Sequence, residues 1–157
     1  MTVYLLSGKD MYRQEERLAT LLKEFSIGKD YVTTFDASNA KAFRFDEALV
    51  ACDTFSLFDD SAKKAIVIKE PYFLRATSKT SKKESEKQEA EKEQRLKSLE
   101  AYLKNPNPNT LLVFYCHTFS ADTRKKEYKL LMSYDARIVK FELMKPWEFE
   151  KYVDDKL

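Results

Sequence analysis

The chain has 157 residues, of which 43% are hydrophobic, 13% aromatic and 34% charged. That length suits one domain with its own core, leaves no room for a second complete one, and the composition excludes global disorder. A formal net charge of +2 is too small to draw the whole surface onto nucleic acid or an anionic membrane, so any such contact must be a local patch.

Met1 is followed at once by the apolar run Val3-Tyr4-Leu5-Leu6, without the basic start and long apolar stretch of a secretory signal. No apolar run approaches the roughly 20 residues of a membrane span, and the expected compartment is the cytoplasm. Val3 to Leu6 predicts a short buried strand, broken by Gly8 and followed by Asp10 as a helix N-cap. Met11, Leu18, Leu22 and Phe25 then recur at helical spacing, with Arg13, Glu16, Lys23 and Glu24 on the other face and Gly28 as the expected stop. Tyr31-Val32-Thr33-Thr34-Phe35 is rich in β-branched and aromatic residues and predicts a second strand, closing at Asp36. After the turn-like Asp36-Ala37-Ser38-Asn39, a short helix has Phe45, Ala48, Leu49 and Cys52 on its apolar face.

Residues 54–60, Thr-Phe-Ser-Leu-Phe-Asp-Asp, stand where a polar connection is expected. Beyond them, Ala65-Ile66-Val67-Ile68 is a continuous apolar run, as in a parallel strand covered on both faces. From Ala76 to Arg95 the chain is nearly all Lys, Glu, Ser and Gln with alternating signs, which predicts an insertion-like, solvated helix. Leu96, Leu99 and Leu103 restore an apolar helical stripe, and Asn105-Pro106-Asn107-Pro108 ends it. Thr110 to Tyr115 is a further apolar strand, Thr123 to Met132 a helix, Ile138 to Phe141 a last strand, and Pro146-Trp147 opens another helix. Strands alternating with helices imply an α/β domain with a mostly parallel central sheet and helices on both faces.

Catalytic signals are weak. Ser7-Gly8-Lys9-Asp10 is the one candidate phosphate-binding loop, but it lacks the earlier glycine that lets amides wrap a phosphate and the Ser or Thr that would hold magnesium. Asp10 sets a negative charge where the helix start should receive an anion, so the loop is degenerate and reads as a structural turn. Ile66-Val67-Ile68 ends in Lys69-Glu70 rather than in paired carboxylates. Cys52 and Cys116 read as reduced and buried, and His117, the single histidine, points away from Cys116 if both lie on one strand. No catalytic residue, metal site or cofactor is therefore expected.

Phe55, Leu57 and Phe58 admit two readings. Either they tuck under the domain and cap its core, or they form an exposed apolar anchor. Adjacent bulky residues cannot both face inward from a strand and diverge by about 100° on a helix, so at least one of Leu57 and Phe58 is hard to bury locally. Ser56 and Asp59-Asp60 would keep a protruding pair soluble, and Ser56 or Thr54 suits the cap of a short helix presenting it. Phe55 is assigned to the core.

Tyr4-Leu5-Leu6-Ser7-Gly8-Lys9-Asp10-Met11-Tyr12 with Glu15-Glu16, then Phe45-Asp46-Glu47-Ala48-Leu49, then Ser56-Leu57-Phe58 before Ile66-Val67-Ile68, resembles the N-terminal domain of the bacterial DNA polymerase III delta subunit. The resemblance continues through Thr110 to Phe114 and the Pro146-Trp147 tail. It implies an AAA+-like three-layer domain over residues 1–143 without a functional ATP site, and residues 144–157 as the start of a following helical domain. It also implies that Leu57 and Phe58, with Ser56 at the rim, insert into a hydrophobic pocket of the β sliding clamp and help open the ring. The clamp-loader ATPase (gamma/tau) and delta-prime subunits would be met through later domains, and DNA only indirectly. The stretch from Ala76 to Arg95 is longer than the family's usual connection. Two rival readings remain: a nucleotide-binding enzyme with an unorthodox loop at Gly8-Lys9, and a nucleic-acid binder using Lys63-Lys64, Lys82-Lys83 and Lys125-Lys126.

Overall fold

The computed structural model describes residues 2–53, 63–76 and 86–141, the side chains of 86–88 excepted. Five strands, β1 (Val3–Gly8), β2 (Val32–Asp36), β3 (Lys64–Lys69), β4 (Thr110–Cys116) and β5 (Arg137–Phe141), alternate with α1 (Met11–Glu24), α2 (Phe45–Asp53), α3 (Glu86–Lys104) and α4 (Lys126–Ser133). The sheet is parallel throughout in the order β2-β3-β4-β1-β5. The α/β reading from the alternating pattern therefore holds, as does the implied three-layer arrangement.

All residues of β1 and β4 are buried. Because successive side chains point to opposite faces, each strand feeds two cores. Val3, Leu5, Ile66, Ile68, Leu112, Phe114 and Cys116 meet α2, α3 and α4 on one face; Tyr4, Leu6, Val67, Leu111, Val113 and Tyr115 meet α1 on the other. Edge-to-face rings run Phe35–Phe43–Phe45–Phe73–Phe114 through the larger core, adding a directional term to plain burial.

Several boundaries differ from the sequence expectation. The stripe of α1 that meets the sheet begins at the fully buried Gln14, and Met11 is 47% exposed. Gly28 does not stop that helix: Ser26 does, in the left-handed region at φ 57°, with Ser26 N–H donating to the Lys23 carbonyl (3.1 Å) and Ile27 N–H to that of Leu22 (2.8 Å). α4 ends the same way through Asp135 at φ 59°, Ala136 N–H reaching the Leu131 carbonyl at 3.0 Å. With only two glycines in the chain, these closures fall to a short polar side chain. Tyr31 belongs to a 3-10 turn before β2 and is 52% exposed. Helix α4 starts at Lys126 rather than Thr123, because the Asp122 carboxylate and carbonyl hold Arg124 and Lys125 in a turn.

Of the charged stretch, residues 77–85 lie outside the described residues. It is helical from Glu86, as expected, and Glu91, Glu93 and Gln94 are exposed. Arg95 is not solvated: its guanidinium donates to Glu127 on α4 (3.2 and 3.3 Å) and to the Tyr72 hydroxyl (2.9 Å), and lies over the rings of Tyr72 and Phe73. The Glu127 side chain is 1% exposed, so the pair locks α3, α4 and the turn after β3 together.

Two stability predictions follow from this packing. Arg95→Met leaves the Glu127 carboxylate buried without its cation and should cost about 3 kcal/mol in urea unfolding, while Arg95→Met with Glu127→Leu should recover most of it. An unchanged midpoint for the single variant would show that the pair is not buried in solution. Gly8 has φ 139°, and a Cβ added there would lie 1.9 Å from the Phe141 carbonyl oxygen. Gly8→Ala should therefore cost about 3 kcal/mol or more, and a variant as stable as the parent would contradict the β1–β5 seam described.

Candidate functional site

In a parallel sheet every strand delivers its C-terminus to one edge, which is where α/β folds usually bind ligands. Here that edge joins the Gly8-Lys9-Asp10 loop, the end of β3 and the end of β4. Gly8 N–H donates to the Phe119 carbonyl and Asp10 N–H to that of Phe141, both at 3.2 Å. The Asp10 carboxylate accepts from Arg13 N–H (3.1 Å) and the Arg13 guanidinium (2.8 Å), and Gln14 N–H donates to the Asp10 carbonyl (3.3 Å). The Gly8 carbonyl accepts the buried Gln14 amide at 2.8 Å. The amides of Gly8, Asp10 and Arg13 are thus spent on the chain itself, and a carboxylate already sits at the positive end of α1.

At the end of β3 the Glu70 carboxylate is committed in the same way. It accepts from the N–H groups of His117 (2.7 Å) and Thr118 (3.0 Å) and from the Thr118 hydroxyl, while its backbone takes φ 56°. His117 stacks on Tyr115 with ring centres 4.9 Å apart, and its Nε2 lies 3.2 Å from Glu15 Oε1. Burial, with Glu15 and Glu70 nearby, pushes the Tyr115 phenol up and keeps it protonated. As the alternation of strand side chains requires, Cys116 faces the opposite core. Burial pushes the Cys52 thiol up to about 12 and also raises that of Cys116, so both are poor thiolates. Among the described residues no three His, Cys, Asp or Glu side chains are grouped as a metal site would need, and no helix is long and apolar enough to cross a membrane.

α2 ends at Asp53 and β3 starts at Lys64, so both of these ends lie at the N-terminal edge of the sheet. Ser56, Leu57 and Phe58, and Phe55 with them, lie outside the described residues, as do Lys82-Lys83 and the Pro146-Trp147 tail. Of the remaining basic pairs, Lys63-Lys64 is at the N-terminal edge, whereas Lys125-Lys126 follows β4 from the C-terminal edge. These two pairs do not form one patch.

Gln14, Arg95 and Glu127 were missed as buried polar residues. Each has apolar residues three or four places along its helix: Leu18 after Gln14, Leu99 after Arg95, and Leu130 and Leu131 after Glu127. A polar residue in register with an apolar stripe was the available signal.

The family model for the DNA polymerase III delta subunit matches residues 4–142. The DNA polymerase III subunit delta of Bacillus subtilis (strain 168) is 29% identical over 132 residues, which cover 82% of this chain and 34% of that protein. Among solved structures, the Bacillus subtilis DNA clamp loader delta protein superposes with a TM-score of 0.69 at 25% identity, covering 97% of this chain and 41% of that one. The chain thus spans about a third of the length of its curated relative and less than half of the solved one. With the family model covering nearly all of the described fold, this chain belongs to the DNA polymerase III delta subunit family.

Proposed function

We propose that this chain is the clamp-binding domain of a bacterial clamp loader. It contacts the β sliding clamp through Leu57 and Phe58, with Ser56 and neighbouring polar residues as the rim, and has no catalytic activity of its own. The observation that carries this reading is the family match over residues 4–142, since a delta subunit belongs to the replicative polymerase assembly. Solved relatives of the same fold include a protein described as a DNA clamp loader delta protein, which supports the same role.

Two further observations support the division of labour. The C-terminal edge has its loop amides, the Asp10 carboxylate and the Glu70 carboxylate engaged internally, which argues against a nucleotide there. In sequence the Leu-Phe pair falls between Asp53 and Lys64, whose elements end and begin at the N-terminal edge of the sheet, so a partner seated at that edge would leave the degenerate loop untouched. A pair of bulky apolar side chains filling a pocket supplies the kind of central anchor that dominates protein interfaces. If the anchor fits a strained or opened clamp better than a closed one, binding shifts the clamp toward opening by that difference in affinity. ATP then acts through other loader subunits. Residues 1–143 form this domain and 144–157 begin the next, through which gamma/tau and delta-prime subunits would be engaged.

The direct test is binding of the 157-residue chain to the sliding clamp of its own organism, with circular dichroism confirming the fold. Leu57→Ala with Phe58→Ala should weaken binding by roughly 2 kcal/mol or more, about thirtyfold. Equal binding by the folded variant would remove the anchor, and unfolding would return both residues to the core. Saturating ATP should leave the thermal midpoint unchanged; a concentration-dependent rise would favour the nucleotide-binding alternative. Affinity that falls steeply with salt would instead favour a nucleic-acid-like electrostatic contact over an apolar anchor.

A further inference from the structure

We propose that Asn107 and Thr110 are positioning residues for the clamp contact: one short turn bonds to both Cys52 and Lys64, which flank in sequence the stretch that carries Leu57 and Phe58. The inference rests on the clamp-binding reading above and adds two residues to it. Cys52 lies in the last turn of α2, where helix carbonyls call for partners from outside the helix. Its carbonyl receives the Thr110 hydroxyl at 2.6 Å and the Asn107 side-chain amide at 3.1 Å. Thr110 is 1% exposed and Cys52 is fully buried, so this bond is shielded from water.

The same turn holds the other end. Lys64 N–H donates to the Asn109 carbonyl at 3.0 Å, which sets where β3 begins. The turn is itself braced: Asn109 N–H donates to Asn107 Oδ1 (2.9 Å), Thr110 N–H to the Asn107 carbonyl (3.1 Å), and the Thr2 hydroxyl to that carbonyl (3.3 Å). An ordinary helix end needs one partner per carbonyl. Two side-chain donors converging on one carbonyl, from the turn that also receives Lys64, tie Cys52 and Lys64 to a common point.

Helix α2 is held on the sheet by Phe45, Ala48, Leu49 and Cys52, so the fold does not depend on this bond alone. What the bond adds is the placement of the helix end. An anchor has to reach its pocket within a fraction of an ångström, and fixed segment ends lower the ordering cost of docking. Losing the bond should therefore weaken binding more than it weakens folding.

The test measures clamp affinity for the full chain with Thr110→Val and Asn107→Ala, separately and together, each confirmed folded by circular dichroism. The paired variant should bind about tenfold more weakly, and Thr110→Ser, which keeps the hydroxyl, should bind as the parent does. Introduced into Leu57→Ala, the paired change should cost much less than it does in the parent, because it acts through the anchor. Undiminished binding by the folded paired variant, or a loss that adds in full to that of Leu57→Ala, overturns the positioning role while leaving the anchor in place. If the parent does not bind the clamp, or Leu57→Ala with Phe58→Ala binds equally well, the underlying reading fails and this one falls with it.

Discussion

Strand β1 is buried along its whole length and pairs on both sides, with β4 and with β5. A strand apolar on both faces is stable only inside a sheet that is covered twice, and a parallel sheet supplies the covering helices through its own connections. From that constraint the three layers follow. So does the separation of the connections into two edges with different fates.

At the C-terminal edge the chain consumes its own binding capacity. Short turns at Gly8 and Glu70 bring loop amides and carboxylates close enough to satisfy one another, and Asp10 occupies the position at the start of α1 that an anion would favour. The geometry inherited by a nucleotide-type loop is therefore spent on stability: the seam between β1 and β5 is closed by Gly8, and β3 is stitched to β4 by Glu70. The N-terminal edge is organised in another way. There the Asn107–Thr110 turn bonds to the end of α2 and to the start of β3. A domain that binds a partner at that edge gains a firm base on the sheet.

The legibility of the sequence divides along physical lines. Runs such as Leu111-Leu112-Val113-Phe114 announced buried parallel strands because nothing polar interrupts them, and the degenerate loop was readable because Asp10 stands where charge decides function. Helix ends were less readable: Ser26 and Asp135 adopt left-handed backbone that glycine would normally mark, so Gly28 drew the stop of α1 to the wrong place. Arg95 was assigned to solvent because its neighbours in sequence are charged, yet its partners Glu127, Tyr72 and Phe73 come from distant elements. Pairing across the fold is invisible to local composition. The anchor reading of Leu57-Phe58 rests on resemblance, since composition alone favours a core cap.

The central claim is that the clamp is met at the N-terminal edge of the sheet and not at the C-terminal edge where such folds bind nucleotides. Amide hydrogen exchange of the chain with and without the sliding clamp tests it most directly. The account predicts added protection around residues 53–64 and 107–110, with residues 8–14 and 117–122 unchanged. Protection confined to the Gly8–Gln14 loop and the end of β4 would contradict it and return the functional site to the C-terminal edge.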